Sequence, residues 1–177
     1  MSEQSAAPAS IREQLQTLHG ESFAWALVCC AHEPGSAEDA LQMTYLKILD
    51  GRARFEGRSA FKTWLFGVIR MTVREQRRRT WWSWLRAAPV DAAVHLPSAE
   101  PLPDRAAERS ETRQRVLAAC ARLSARQRQV MMLVFYHDLV LDEAAKAMGV
   151  SPGSARKHYQ RGKEQLRAWL GPHFSKR

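Results

Sequence analysis

The stretch from Leu139 to Lys163 constrains this chain more than any other, because it reads as two helices meeting at a tight corner. A short amphipathic helix stops at Gly149, which supplies the left-handed residue a sharp helix end needs. The chain restarts at Ser151-Pro152, a good N-cap followed by a proline whose missing N–H costs nothing at the first helical position. In the helix that follows, Ala155, Tyr159, Leu166 and Trp169 share one face and are expected to bury. Ser154, Arg156, Lys157, His158, Gln160 and Arg161 share the opposite face. Ala144, Ala145 and Met148 let the first helix approach its neighbours closely. This is a helix-turn-helix pattern. A helix N-terminus bearing Ser, Arg and Lys suits phosphates and base edges in a DNA major groove. One position departs from the ideal: Val140 stands where a capping Ser or Thr is expected, a deficit of about 1 kcal/mol.

Helical periodicity also governs the rest of the chain, and no alternating strand pattern stands out. Ile11–Ala31 reads as a helical stretch with a possible break at Gly20, ended by Pro34-Gly35. Ser36 is a candidate cap for a helix to about Leu49, with Leu41, Tyr45, Leu46 and Leu49 on one face. Asp50-Gly51 closes it, and a basic loop, Arg52 to Arg58, carries one aromatic, Phe55. Ser59 is a candidate cap for a long helix in which Phe61, Trp64, Leu65, Val68, Ile69 and Val73 recur at helical spacing. From Ala87 to Glu108 lie four of the chain's eight prolines, a density that favours an extended linker. Helical pattern resumes at Glu111, with Val116, Leu117 and Cys120 marking the first helix. Ser124 and Gln127 form a capping box for the next, which carries Val130, Met131, Leu133, Val134 and Phe135. The expected fold is all-α: two small helical domains joined by a proline-rich flexible linker, the C-terminal one a helix-turn-helix. The boundaries are a tail at 1–10, a first domain at 11–86, a linker at 87–110, a second domain at 111–172 and a tail at 173–177.

Net charge is +9 over 177 residues, and its placement matters more than its size. Residues 70–79 hold five arginines against Glu75, and residues 151–177 hold seven Lys or Arg against Glu164. The remainder is close to neutral, so two basic patches face a polyanion at two places, or form two solvated helix faces. Cys29, Cys30 and Cys120 have no zinc-type spacing and read as buried apolar residues. Paired carboxylates with a positioned His, metal-spaced clusters and glycine-rich phosphate loops are all lacking, so no catalytic residue, metal or cofactor is expected. No segment has the length and apolarity of a membrane span, and no export-signal pattern appears, which points to a reduced, cytoplasmic protein without membrane insertion.

Taken together, the two blocks resemble the extracytoplasmic-function (ECF) class of bacterial sigma factors over roughly Phe23–Arg79 and Val116–Leu170. The first match rests on Ala37-Glu38-Asp39, Gln42, Arg54-Phe55-Glu56-Gly57-Arg58-Ser59 and Phe61-Lys62-Thr63-Trp64-Leu65. The second rests on Leu123, Arg126-Gln127-Arg128, Val130, Glu143, Ala145, Gly149-Val150-Ser151, Gly153 and Arg161. The resemblance implies a non-enzymatic factor that binds core RNA polymerase and directs initiation at promoters with −35 and −10 elements. It implies contact of Asp39 and Gln42 with the β′ clamp coiled coil. It implies capture of the −10 element by Arg52, Phe55, Ser59 and Lys62, followed by backbone contacts from Arg70, Arg74, Arg77 and Arg78. It further implies −35 reading by Ser154, Arg156, Lys157, His158 and Arg161, docking of the second domain on the β flap, and an anti-sigma partner. Met43 and Met71 depart from the family pattern, which usually has Glu and Asn there. The apolar run Thr80-Trp81-Trp82-Ser83-Trp84-Leu85 stands where a polar tether should begin; it extends the first domain's core or forms a docking surface for an anti-sigma partner or the second domain. A stand-alone helix-turn-helix regulator and a sigma-like decoy that titrates an anti-sigma factor are the other readings compatible with these residues.

Overall fold

The computed structural model describes residues 10–86 and 107–171, with side chains for 10–79 and 115–171. Among these, eight helices and no strand occur: α1 (Ile11–Thr17), α2 (His19–Cys29), α3 (Pro34–Leu49), α4 (Phe61–Arg86), α5 (Ala107–Arg122), α6 (Ala125–Phe135), α7 (Leu141–Met148) and α8 (Pro152–Leu170). The expected proline linker lies largely outside the described residues, as do the side chains of Trp81, Trp82 and Trp84. The all-α expectation holds, and several expected boundaries move.

The first helical stretch breaks at Leu18 rather than Gly20. Leu18 adopts φ −90°, ψ 4°, and its carbonyl accepts from Ser22 N–H at 2.8 Å to open α2. Gly20 simply sits inside the first turn of α2. Pro34-Gly35 does not end a helix but begins one. Glu33 holds the N-cap, its carboxylate accepting from Ser36 N–H at 2.6 Å, with Pro34 preorganised at the first position. Ser36 is therefore the donor rather than the cap. Ser59 does not cap α4 either: its hydroxyl donates to Ala60 O, and the helix opens with Trp64 N–H on that same carbonyl. At the other end of the linker, α5 begins at Ala107, four residues before Glu111. Ala107, Glu108 and Arg109 are good helix formers with no proline after Pro103 to stop them.

α2, α3 and α4 form the first block around Trp25, whose indole N–H donates to Phe66 O at 2.9 Å while the two rings stack. From α4 the buried contributors are Leu65, Phe66, Val68, Ile69 and Val73. On α3 the buried stripe is Ala37, Ala40, Leu41, Thr44 and Ile48. Leu46 and Leu49, grouped with Leu41 from the sequence, are half exposed instead, because α2 and α4 claim the neighbouring face.

The second block is built on α6. The Ser124–Gln127 capping box is present in both directions, and Val130, Met131 and Leu133 are buried. Phe135 and Leu117 turn out exposed. Gly149 ends α7 at φ 57°, and Ser151 caps α8 with Pro152 at the first position. In α8, Ala155 is buried while Tyr159, Leu166 and Trp169 are partly so. Gly162 is the other buried residue on that face: a Cβ there would meet Met131 at 3.3 Å, so the absence of a side chain sets the α8–α6 distance.

The two blocks lie against each other. α7 packs along α4, α6 touches α2, and the buried residues of both blocks form one continuous cluster. Val140 has no side-chain cap bond, as expected, but its N–H donates to Glu143 Oε2 at 3.3 Å, so half of a capping box is already in place. Because Val140 is 64% exposed, nothing is lost by replacing it. Val140→Ser is expected to raise stability by about 1 kcal/mol in chemical denaturation, and a variant no more stable than the parent contradicts this account of α7.

Candidate nucleic-acid interface

α8 carries the most open set of cations. With Ala155 and Gly162 buried, Arg156, Lys157, Gln160 and Arg161 stand exposed on the opposite side, and Ser154 and His158 are half buried at its edge. The N-cap is rigid: Ser154 N–H donates to Ser151 Oγ at 3.2 Å, and the two hydroxyls lie 2.9 Å apart. The first-turn amides of a helix fixed in this way, followed by Arg and Lys, provide both a positive pole and point charges for phosphate. Phe135 stacks on Tyr159 from behind at 6.1 Å, and Arg122 lies over Trp169 at 4.4 Å, anchoring the helix at two points along its length.

The residues expected near the first basic patch divide into two groups. Phe55, in the loop after α3, packs against Phe61 and Trp64 with ring centroids 5.3 Å apart in each pair. These aromatics are half buried, so the loop is pinned to the start of α4 rather than free. Arg52 is exposed and pairs with Asp50 at 2.9 Å, while Ser59 is half buried in the same loop. Arg74 and Arg78 are exposed on α4; Arg77 is exposed and donates to Cys29 O at 2.8 Å. Lys62 and Arg70 are different: both are half buried and face the second block. Lys62 Nζ donates to His137 O at 3.0 Å and pairs with the Glu21 carboxylate. Arg70 reaches the C-terminal end of α7, where a Cβ on Gly149 would lie 2.9 Å from its Nη1.

Asp39 and Gln42 are exposed on α3, with Leu46 and Leu49 further along the helix 50% and 51% exposed. Met43 is half buried and Met71 on α4 is 54% exposed. Lys47 ties α3 to α4 through Glu75 at 2.6 Å and Thr72 at 3.2 Å. That lysine holds the Glu75 carboxyl below the usual carboxylate range. Burial pushes the Cys29 thiol up to about 12, consistent with an inert apolar role.

Glu21, Arg126 and His137, which meet Lys62 or the end of α7, escaped the sequence reading as functional candidates. His137 is 1% exposed, its Nδ1 lies 3.2 Å from Glu21 Oε2, and its ring meets Phe66 edge-on at 4.6 Å. Its partners lie 116 and 75 positions away in the chain, so no local spacing could announce them.

The structure thus sets a helix-turn-helix against an α-helical block that carries an aromatic loop and an Arg-rich helix. Residues 21–83 match the family "Sigma-70 region 2" and residues 113–166 match "Sigma-70, region 4". The chain is 30% identical to the RNA polymerase sigma factor CarQ of Myxococcus xanthus over 135 residues, covering 76% of this chain and 75% of that one. It is 29% identical to the ECF RNA polymerase sigma factor SigX of Bacillus subtilis over 145 residues, covering 76% of this chain and 71% of that one. In fold it is similar to the sigma factor RpoE of Bartonella quintana, solved in complex with the anti-sigma factor NepR. The TM-score is 0.66 at 24% identity, over 90% of this chain and 95% of the other. It is similar also to CnrH, solved with the cytosolic domain of CnrY, with a TM-score of 0.56 at 22% identity over 89% and 85% of the two chains. The chain belongs to the ECF class of the sigma-70 family of RNA polymerase sigma factors.

The aromatic cluster sets a direct test of loop order. Phe55→Ala removes two ring pairs and is expected to cost about 1–2 kcal/mol in chemical denaturation. A variant as stable as the parent would mean that the loop is not held by Phe61 and Trp64.

Proposed function

We propose that this chain binds core RNA polymerase through the exposed face of α3 and directs initiation at promoters it reads through α8 and through the loop and first half of α4. The observation that carries the reading is the face of α8: Arg156, Lys157 and Arg161 exposed opposite Ala155 and Gly162, on a helix whose N-cap leaves its positive end open. Ser154 and His158 complete the −35 contact set at its edge. The division into a first domain at 11–86 and a second at 111–172 is supported by the two separate family matches, which fall inside those limits.

For the −10 element, Phe55, Ser59 and Arg52 supply a pinned aromatic loop with a hydroxyl and a cation, the combination that receives an unstacked base. Lys62 then grips the separated strand, and Arg70, Arg74, Arg77 and Arg78 run along the backbone beyond it. Asp39 and Gln42 make a charge- and register-fixing contact with the clamp coiled coil of the β′ subunit. Leu117, Phe135 and Tyr136, each 58–60% exposed, offer an apolar surface for the β flap. The likeness to the sigma factor RpoE, solved with the anti-sigma factor NepR, supports an anti-sigma partner for this chain as well. The second patch, on α4, favours this reading over a stand-alone regulator, whose single helix-turn-helix would leave those arginines without a partner.

Two variants separate the halves. Arg156→Ala with Lys157→Ala is expected to abolish binding of −35 duplex while core polymerase is still retained in a pull-down; loss of polymerase binding would sink the division of labour. Asp39→Ala is expected to weaken core binding with promoter preference unaltered, and a changed preference would refute that role.

A further inference from the structure

The outward face of α4 changes chemistry partway along. Trp64, Gly67, Met71, Arg74 and Arg78 fall three or four positions apart, a spacing that stacks them in one row on the helix surface. Leu65, Phe66, Ile69 and Val73 occupy the buried side. Arg74 and Arg78 end the row with cations open to solvent, whereas the half nearer the aromatic loop carries none. Glu75, beside Met71, has its charge answered by Lys47 at 2.6 Å.

The uncharged half is a notch. Gly67 is partly exposed, and a Cβ built there would meet nothing within 4 Å, so bare backbone forms the floor. Trp64 walls it on one side, held by Phe55 and Phe61 with ring centroids 5.3 Å away. Met71 walls it on the other and is 54% exposed. Gly162 is required by the neighbouring Met131, but no neighbour in the fold accounts for Gly67. A side chain there would be unobstructed and the helix stronger for it.

The dimensions and chemistry of the notch suit one partner. From Trp64 to Met71 is about 10 Å along the helix axis, or about three base steps of DNA. Cations suited to a phosphate backbone continue from its far end, so a duplex followed by Arg74 and Arg78 brings a groove edge over Gly67. In the major groove the apolar group on a base edge is the thymine 5-methyl, which apolar side chains contact. Met71 has no strong hydrogen-bonding group, and its flexible thioether adapts to a methyl. A missing side chain at the floor lets that edge come close to the backbone.

We propose that Trp64, Gly67 and Met71 form an apolar notch that selects a thymine through its 5-methyl group, within about three base steps of the base held by the Phe55 loop. This rests on the reading of α4 as the −10 contact and adds a base preference to it. Arg74 and Arg78 fix the position of the duplex, and the notch reads its sequence.

The test begins with a random-sequence duplex pool bound by core RNA polymerase carrying the full chain. The enriched sequence is remade with deoxyuridine in place of each thymidine in turn, which removes one methyl group and leaves base pairing intact. At one thymine in the −10 half, uracil is expected to weaken binding about fourfold, the effect of exposing one buried carbon. Met71→Ala is expected to weaken binding of the thymine fragment by the same factor and to bind the uracil fragment as the parent does. Gly67→Leu is expected to keep its denaturation midpoint at or above the parent's, because its side chain enters open space, yet to bind both fragments more weakly. Binding indifferent to uracil at every thymine, or a uracil effect that persists in Met71→Ala, overturns the notch, while an enriched −35 half leaves the functional reading standing. No enriched sequence at all overturns both. Loss of core-polymerase retention by Met71→Ala in a pull-down without DNA makes the notch a polymerase contact and overturns it as well.

Discussion

A helix of only two turns that packs on three neighbours at once needs small residues where it meets them, and α7 supplies three alanines. Ala144, Ala145, Ala147 and Met148 are all buried on its eight-residue length, against α4, α6 and α8. That packing joins the halves of the molecule. It brings the C-terminal end of α7 to Arg70, places the turn before it over Lys62, and leaves the outer face of α8 free.

Charge is distributed around this seam with a clear asymmetry. Cations on α8 and on the outer part of α4 face solvent, where they are cheap to keep and available to phosphate. Those at the seam are half buried and already partnered by a carboxylate, a carbonyl or a helix end. The difference is one of position rather than residue type, since Arg74 and Arg70 are a single helical turn apart on α4. One face of that helix thus stays open to solvent while an adjacent face meets the other half of the chain.

Most of the local architecture was legible in the sequence. Gly149, Ser151-Pro152 and the Ser124–Gln127 box are self-contained signals, each satisfied by groups within a few residues, and each appears where its chemistry requires. Gly20, Ser36 and Ser59 share one feature: each is a plausible breaker or cap, but the backbone finds an equivalent partner one to three residues away, as at Glu33 and Ala60. Leu46 and Leu49 share a periodic face with Leu41 yet stay half exposed, because periodicity alone cannot say how wide a buried stripe is. The seam itself was invisible. Glu21, Lys62 and His137 meet across 41 to 116 positions, and nothing in local spacing marks a histidine that will be buried against a carboxylate from another helix.

The account stands or falls on whether this chain programmes a polymerase. Run-off transcription with purified core RNA polymerase on a pool of genomic promoter fragments measures that directly. The account predicts discrete transcripts that require this chain and disappear with Arg156→Ala and Lys157→Ala. Transcripts that appear equally without the chain, or none with it, would contradict it.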